Sequence, residues 1–164
     1  MSTLGIHLVK SAYGQWLPGD VRGHWSPAWD ARFGFGAAHR LNRGDPVRHR
    51  MAREIQSQPA VLWSPTMIET LGRTFVACAE ASTWSLAALA IEPTHLHALL
   101  RDVDRDADRT IKWLSDRMAK AVHVRNNHDG PVFAKGRWLV FVFDDEQWVN
   151  TLNYINRHDG KWDV

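Results

Sequence analysis

Two short constellations in this chain carry residue types that can do chemistry together. The first is Thr94-His95-Leu96-His97. On a β-strand alternate residues share a face, so His95 and His97 project together while Leu96 turns toward the opposite layer. Two imidazoles so placed can bind one divalent ion; the same pair also suits a polar patch on a half-exposed strand. The second constellation is Tyr154-Ile155-Asn156-Arg157-His158. Tyr154 and His158 are four residues apart, which on a helix stacks them on one face. A phenol, whose ordinary pKa is about 10, is a poor nucleophile unaided. A metal ion that polarises a target phosphate would help it attack, and His158 could be the third ligand of that metal. Read alone, Tyr154 also fits an aromatic at the edge of the core.

The elements that must position these residues follow from hydrophobic period and breakers. Residues 4–13 read as a strand, and the Gly-, Pro- and Trp-rich stretch from Gln15 to Asp45 reads as a long loop, of a kind usually functional or mobile. Pro46 to Ser57 looks like a short polar helix. Ser64 as cap and Pro65 at the first helical position open a second helix. In it Met67, Ile68, Leu71, Phe75 and Cys78 recur at three-to-four spacing, to about Ala81. Thr83–Glu92 and His95–Val103 are short apolar runs separated by Pro93, which suits two strands of a buried sheet. An acidic turn over 104–108 leads into a helix striped by Ile111, Leu114, Met118 and Val122, out to about Arg125. Residues 126–136 read as a loop and Trp138–Phe143 as a strand. Asp144 can then cap a last helix, with Gln147 as its reciprocal partner and Trp148, Leu152 and Ile155 as its buried stripe. Strand–helix–strand–strand–helix–strand is the ferredoxin-like split arrangement. The expected fold is therefore α+β, with a four-stranded antiparallel sheet and two helices on one face. A loop and short helix are inserted after the first strand, and the terminal helix carries the tyrosine. The whole of 1–164 is expected to be one domain, with a loop-rich insertion at about 15–57.

Composition bounds the function. The chain has 164 residues, 45% of them hydrophobic and 23% charged, which is ordinary for a globular domain. No apolar run nears the roughly 20 residues that span a bilayer, the N-terminus lacks a signal-peptide pattern, and the lone Cys78 excludes an internal disulfide. A reducing cytoplasmic setting is the expectation. Net charge is only +2, but basic residues crowd between Asp20 and Glu54, interleaved with Trp25, Trp29, Phe33 and Phe35. Arg forks suit phosphates and aromatic faces suit unstacked bases. Arg22, Arg40 and Arg43, with Lys112, Arg117 and Lys120 on the helix ending near Arg125, are the candidate nucleic-acid contacts; a solvated surface loop is the other reading of the first group. His7, on the first strand, lines either the site or the core. His123 is expected to face solvent. No Cys/His zinc spacing, phosphate-cradling Gly loop or Ser-His-Asp arrangement is evident.

The combination resembles the single-tyrosine HUH transposases, which include insertion-sequence enzymes and REP-associated tyrosine transposases. Its carriers are a strand-borne His-hydrophobic-His followed, after a helix and a strand, by a helix bearing the tyrosine. Tyr13-Gly14-Gln15-Trp16-Leu17-Pro18-Gly19-Asp20 is similar to the segment that opens many members. Pro131-Val132-Phe133-Ala134-Lys135-Gly136 with Trp138 resembles their approach to the last strand, so the likeness spans about 5–158. Thr94 departs from the Asn common before the first His, and His158 stands where Gln or Asn is frequent. The resemblance implies that His95, His97 and His158 bind Mg2+ or Mn2+. It implies that Tyr154 attacks single-stranded, hairpin-bearing DNA to leave a 5′-phosphotyrosine and a free 3′-hydroxyl, the protein acting sometimes as a homodimer. The expected activity is thus a metal-dependent single-stranded DNA endonuclease and strand transferase. The alternatives are a non-cleaving nucleic-acid-binding module on the same fold and a metal-dependent hydrolase using water.

Overall fold

Local capping signals set the helix starts. The computed structural model describes residues 3–22, 29–30, 34–35, 43–103 and 106–164. Its contacts divide the chain into two units, Met1–Tyr13 with Val61–Val164, and Gly14–Ala60. In the larger unit the strands are β1 (Gly5–Ser11), β4 (Ser85–Ile91), β5 (His95–Arg101), β6 (Trp138–Val142) and β7 (Lys161–Trp162), and the helices are α2 (Pro65–Glu80), α3 (Ala107–Arg125) and α4 (Asp145–Asn156). The smaller unit holds the short pair β2 (Trp29–Asp30) and β3 (Gly34–Phe35), and helix α1 (Pro46–Glu54). Ser64 Oγ accepts from Met67 N at 3.3 Å, and Asp144 Oδ1 from Gln147 N at 2.8 Å. The reciprocal bond differs by one residue from expectation: Gln147 Oε1 accepts from Phe143 N, at 3.0 Å, rather than from Asp144. Among the described residues no helix is long and apolar enough to cross a membrane.

The sheet runs β6-β1-β5-β4-β7, with every pairing antiparallel. The first four strands lie in the order a split βαβ arrangement requires. The expectation of four strands is corrected to five: β7 pairs Trp162 with Leu89 and Lys161 with Ala90 along the free edge of β4. Two residues are too few to show a period, so the strand exists only because the chain after α4 is led back to that edge.

Alternation gives the sheet two faces. Leu8, Leu96, Ala98 and Leu100 share one core cluster with Leu71 and Phe75 of α2 and Ile111, Leu114, Met118 and Val122 of α3. The other face is covered by α4, where Ile155, Leu152 and Trp148 pack against Ala88, Ala90, Leu99 and Val142. Gly5 makes room for that helix, because a Cβ there would strike the Trp148 ring and the Leu100 carbonyl. Trp148 is also covered by Arg101, whose guanidinium carbon lies 4.3 Å from the ring centroid.

Candidate active site

The register of β1 against β5 puts the strand-borne histidines together. Val9 of β1 faces His97, and Ser11 faces His95. Leu96 is fully buried in the α2–α3 core, so its neighbours on either side must turn to the α4 face. On that face α4 ends over the start of β5. Its last turn brings Tyr154, and the following turn brings His158. Two bonds of Gly160 anchor that turn: its N donates to the Glu92 side-chain oxygen Oε1 at 2.9 Å, and its carbonyl accepts from Ile91 N at 2.8 Å. A Cβ at Gly160 would strike the Ile91 carbonyl, so the close approach needs glycine.

The result is a compact set of rings. His95 and His97 have centroids 4.8 Å apart, His97 and His158 4.7 Å, and His95 and His158 6.3 Å. One ligand nitrogen from each lies within 4.8 Å of the others, and this is a group that could hold a metal ion. The Tyr154 ring stands at right angles to His97 with centroids 5.3 Å apart, and edge-on to His158 at 4.9 Å. Tyr154 is 50% exposed, whereas His97 is 6% exposed; an incoming group can therefore reach the phenol from solvent while the ring below it stays dry.

Hydrogen bonding shows which nitrogens remain for an ion. His158 Nδ1 donates to the carbonyls of Tyr154 (3.1 Å) and Ile155 (3.3 Å), so its lone pair is on Nε2. His95 Nδ1 lies 2.9 Å from Thr94 Oγ1. His97 Nδ1 lies 3.1 Å from His7 Nε2, while His97 Nε2 is buried with no hydrogen-bond partner among the described residues. A buried polar atom without a partner is uncommon, and a cation coordinated there would satisfy it. Burial pushes the His97 ring down to about 3, with His95, His7 and His158 adding charge repulsion, and burial with His158 pushes His7 down to about 4. Both imidazoles are thus neutral near pH 7, the state in which an imidazole ligates. The donor set, three imidazoles with an open side toward the phenol, fits a divalent cation.

On sequence alone His7 fits core packing better than a place in the site. It is 7% exposed and lies within the ring cluster: its centroid is 5.3 Å from His97, 5.5 Å from Trp138 and 6.1 Å from Tyr154. The available signal was parity along β1, usable only once its register against β5 is known.

The predicted basic contacts are scattered. Lys112, Arg117 and Lys120 lie on α3, which covers the opposite face of the sheet from the histidines, so the structure does not bring them to the site. Lys112 is paired with Asp116 at 2.7 Å, and Arg117 lies 5.6 Å over the Trp113 ring. Within the Gly14–Ala60 unit, Arg22 is held by Asp20 through two contacts of 2.9 and 2.6 Å and stacks 4.1 Å over Trp16. Arg43 is exposed. Arg40 lies outside the described residues.

No family model matches the chain, and no curated protein matches it by sequence. Solved structures do. A candidate transposase from Deinococcus radiodurans R1 superposes with a TM-score of 0.52 at 13% identity, over 96% of this chain and 93% of that one. The fold is that of the tyrosine transposases. A REP-associated tyrosine transposase, solved bound to a REP hairpin, superposes with a TM-score of 0.50 at 10% identity, over 94% of this chain and 66% of that one. At such identities the likeness to the transposases concerns the path of the backbone.

Proposed function

We propose that this protein is a metal-dependent nickase and strand transferase of the HUH type, acting on single-stranded, hairpin-bearing DNA through Tyr154. One observation carries the reading. The exposed phenol of Tyr154 stands against His97 and His158, two of three imidazoles clustered tightly enough for one ion. The transposase fold, and the hairpin held by one structural neighbour, support the choice of DNA as substrate.

His95, His97 and His158 would hold Mg2+ or Mn2+, each through the nitrogen its Nδ1 contact leaves. When bound, such an ion draws charge from a phosphate oxygen and makes phosphorus easier to attack. Tyr154 supplies the nucleophile. Its hydroxyl gives a proton to solvent, a bond forms from Oη to phosphorus, and the bond from phosphorus to the 3′-oxygen breaks. That oxygen leaves and takes up a proton, so the 5′-phosphate remains on Tyr154. The ester bond is exchanged rather than spent, and a later 3′-hydroxyl can reverse the step and join strands. Arg157, exposed and adjacent to His158, is suited to a phosphate contact that places the strand without reading its bases.

The test is a set of labelled hairpin oligonucleotides incubated with Mn2+ and run on a denaturing gel. The wild-type chain should give a shifted band that survives denaturant, and Tyr154→Phe should give none while still binding the DNA. Cleavage by Tyr154→Phe at the wild-type rate would make water or another residue the nucleophile and overturn the proposal. Cleavage products without any adduct would point to a hydrolase.

A further inference from the structure

One polar contact in the cluster is not explained by holding an ion or by attacking a phosphate. His7 Nε2 and His97 Nδ1 approach to 3.1 Å. Both rings are buried, and His7 sits in the interior of the sheet, paired with Leu99 of β5 on one side and Val140 of β6 on the other. A contact between two ring nitrogens at that distance needs one N–H and one lone pair. A neutral imidazole has a single N–H, so the direction of this bond fixes the tautomer of both rings.

The two directions differ in what they leave on the other side of His97. Were His7 the donor, His97 would carry its own proton on Nε2. That atom has no acceptor within reach among the described residues, and its proton would occupy the position where an ion must bind. Were His97 the donor, the proton would be on Nδ1 and the lone pair on Nε2. His158 already has this arrangement, because its Nδ1 faces the carbonyls of Tyr154 and Ile155, which can only accept. Neighbours that take the far N–H of a ligating histidine commonly fix both its tautomer and its orientation. On β5 the carbonyls are engaged in the ladders to β1 and β4, and a side chain from the adjoining strand takes their place.

We infer that His7 is a positioning residue: it accepts the Nδ1 proton of His97 and thereby keeps the Nε2 lone pair of His97 directed to a divalent cation. The inference rests on the metal reading of His95, His97 and His158, but its first half concerns the metal-free chain and can be tested there.

Long-range proton–nitrogen correlation spectra of the metal-free protein report which nitrogen of His97 bears hydrogen. Mn2+ titration followed by electron paramagnetic resonance reports affinity. Two variants separate hydrogen bonding from packing. His7→Phe keeps a ring but cannot accept; His7→Gln can accept through its side-chain oxygen. Wild type should show His97 protonated on Nδ1. In His7→Phe the Nδ1–H form should lose its dominance and Mn2+ affinity should fall about 10- to 100-fold, with the thermal midpoint of the metal-free protein unchanged or raised. His7→Gln should restore the tautomer and most of the affinity. An Nε2–H form of His97 in the wild type overturns the inference, and so does a His7→Phe protein that folds and binds Mn2+ as tightly as wild type. A wild-type protein with Nδ1–H on His97 that binds no Mn2+ upholds the tautomer assignment and removes the metal reading instead.

Discussion

The two faces of one sheet follow opposite rules. Beneath α2 and α3, Leu8, Leu96, Ala98, Leu100, Leu114 and Met118 are completely buried; apolar side chains fill this face and contribute to stability, with Lys10 of β1 as the charged exception. Beneath α4 the packed part is small, built on Ala88, Ala90, Leu99, Val142 and Ile155, and beside it cluster four imidazoles and a phenol. Neighbours in sequence, such as Leu96 and His97, serve the two faces in turn. A single step along the strand therefore separates side chains that hold the fold from the side chains proposed to hold an ion, and a substitution on one face should be nearly silent on the other.

The largest expected effect that would test this separation is His97→Ala. It should remove Mn2+ binding and cleavage together, with partial return of cleavage at high Mn2+, while moving the denaturation midpoint less than a substitution in the apolar layer. A variant that lost stability as heavily as activity would show that the histidine face is structural after all. Next is Leu114→Ala, on the α3 side. Truncating a fully buried leucine costs about 2–5 kcal/mol, readable by urea denaturation, and Mn2+ affinity per folded chain should be unchanged. A weakened ion affinity would mean the two faces are coupled through the sheet.

A smaller effect concerns Lys10, the one charged side chain buried in the larger unit among the described residues. Its Nζ donates to Gly136 O at 2.8 Å and Ala134 O at 3.4 Å and lies 5.2 Å from the Phe133 ring centroid. Burial, reinforced by Arg137 and opposed by Asp116, lowers its pKa to about 8. Between that value and the unfolded one of about 10.4, the unfolded chain holds more protons, so stability should rise as pH increases through this window. Below about pH 8 the penalty is fully present. Lys10→Met should flatten this slope and be the more stable protein at pH 7; equal slopes in the two proteins would dismiss the effect. The smallest change expected is in the folding of Tyr154→Phe: loss of a half-exposed hydroxyl should alter stability by about 1 kcal/mol or less. A much larger loss on calorimetry would place the phenol in the core rather than at its edge.

How much of this was legible in the sequence depended on range. The helices and long strands follow from periods and caps carried within a few residues: Ser64 before Pro65, the Ile111–Leu114–Met118–Val122 stripe, the apolar run of β6. His95 with His97, and Tyr154 with His158, were visible for the same reason, since each pair is defined by one element's geometry. What was not legible required pairing across the chain. β7 depends on the edge of β4, some seventy residues earlier, and cannot be inferred from Lys161-Trp162 alone. The contact of His7 with His97 requires the register of β1 against β5. That α3 turns Lys112, Arg117 and Lys120 away from the histidines depends on which face each helix crosses, a property of topology that local pattern does not encode.

The turn after α4 has a further consequence, for reaction order. Gly160 and β7 tie the end of the tyrosine helix back to the edge of the same chain's β4, so one polypeptide supplies three imidazoles and the phenol. Completion of the cluster is then a first-order event, finished when the chain folds, rather than a second-order one awaiting an encounter. Ion affinity and adduct yield per chain should be independent of dilution, down to concentrations at which any association of copies has been lost.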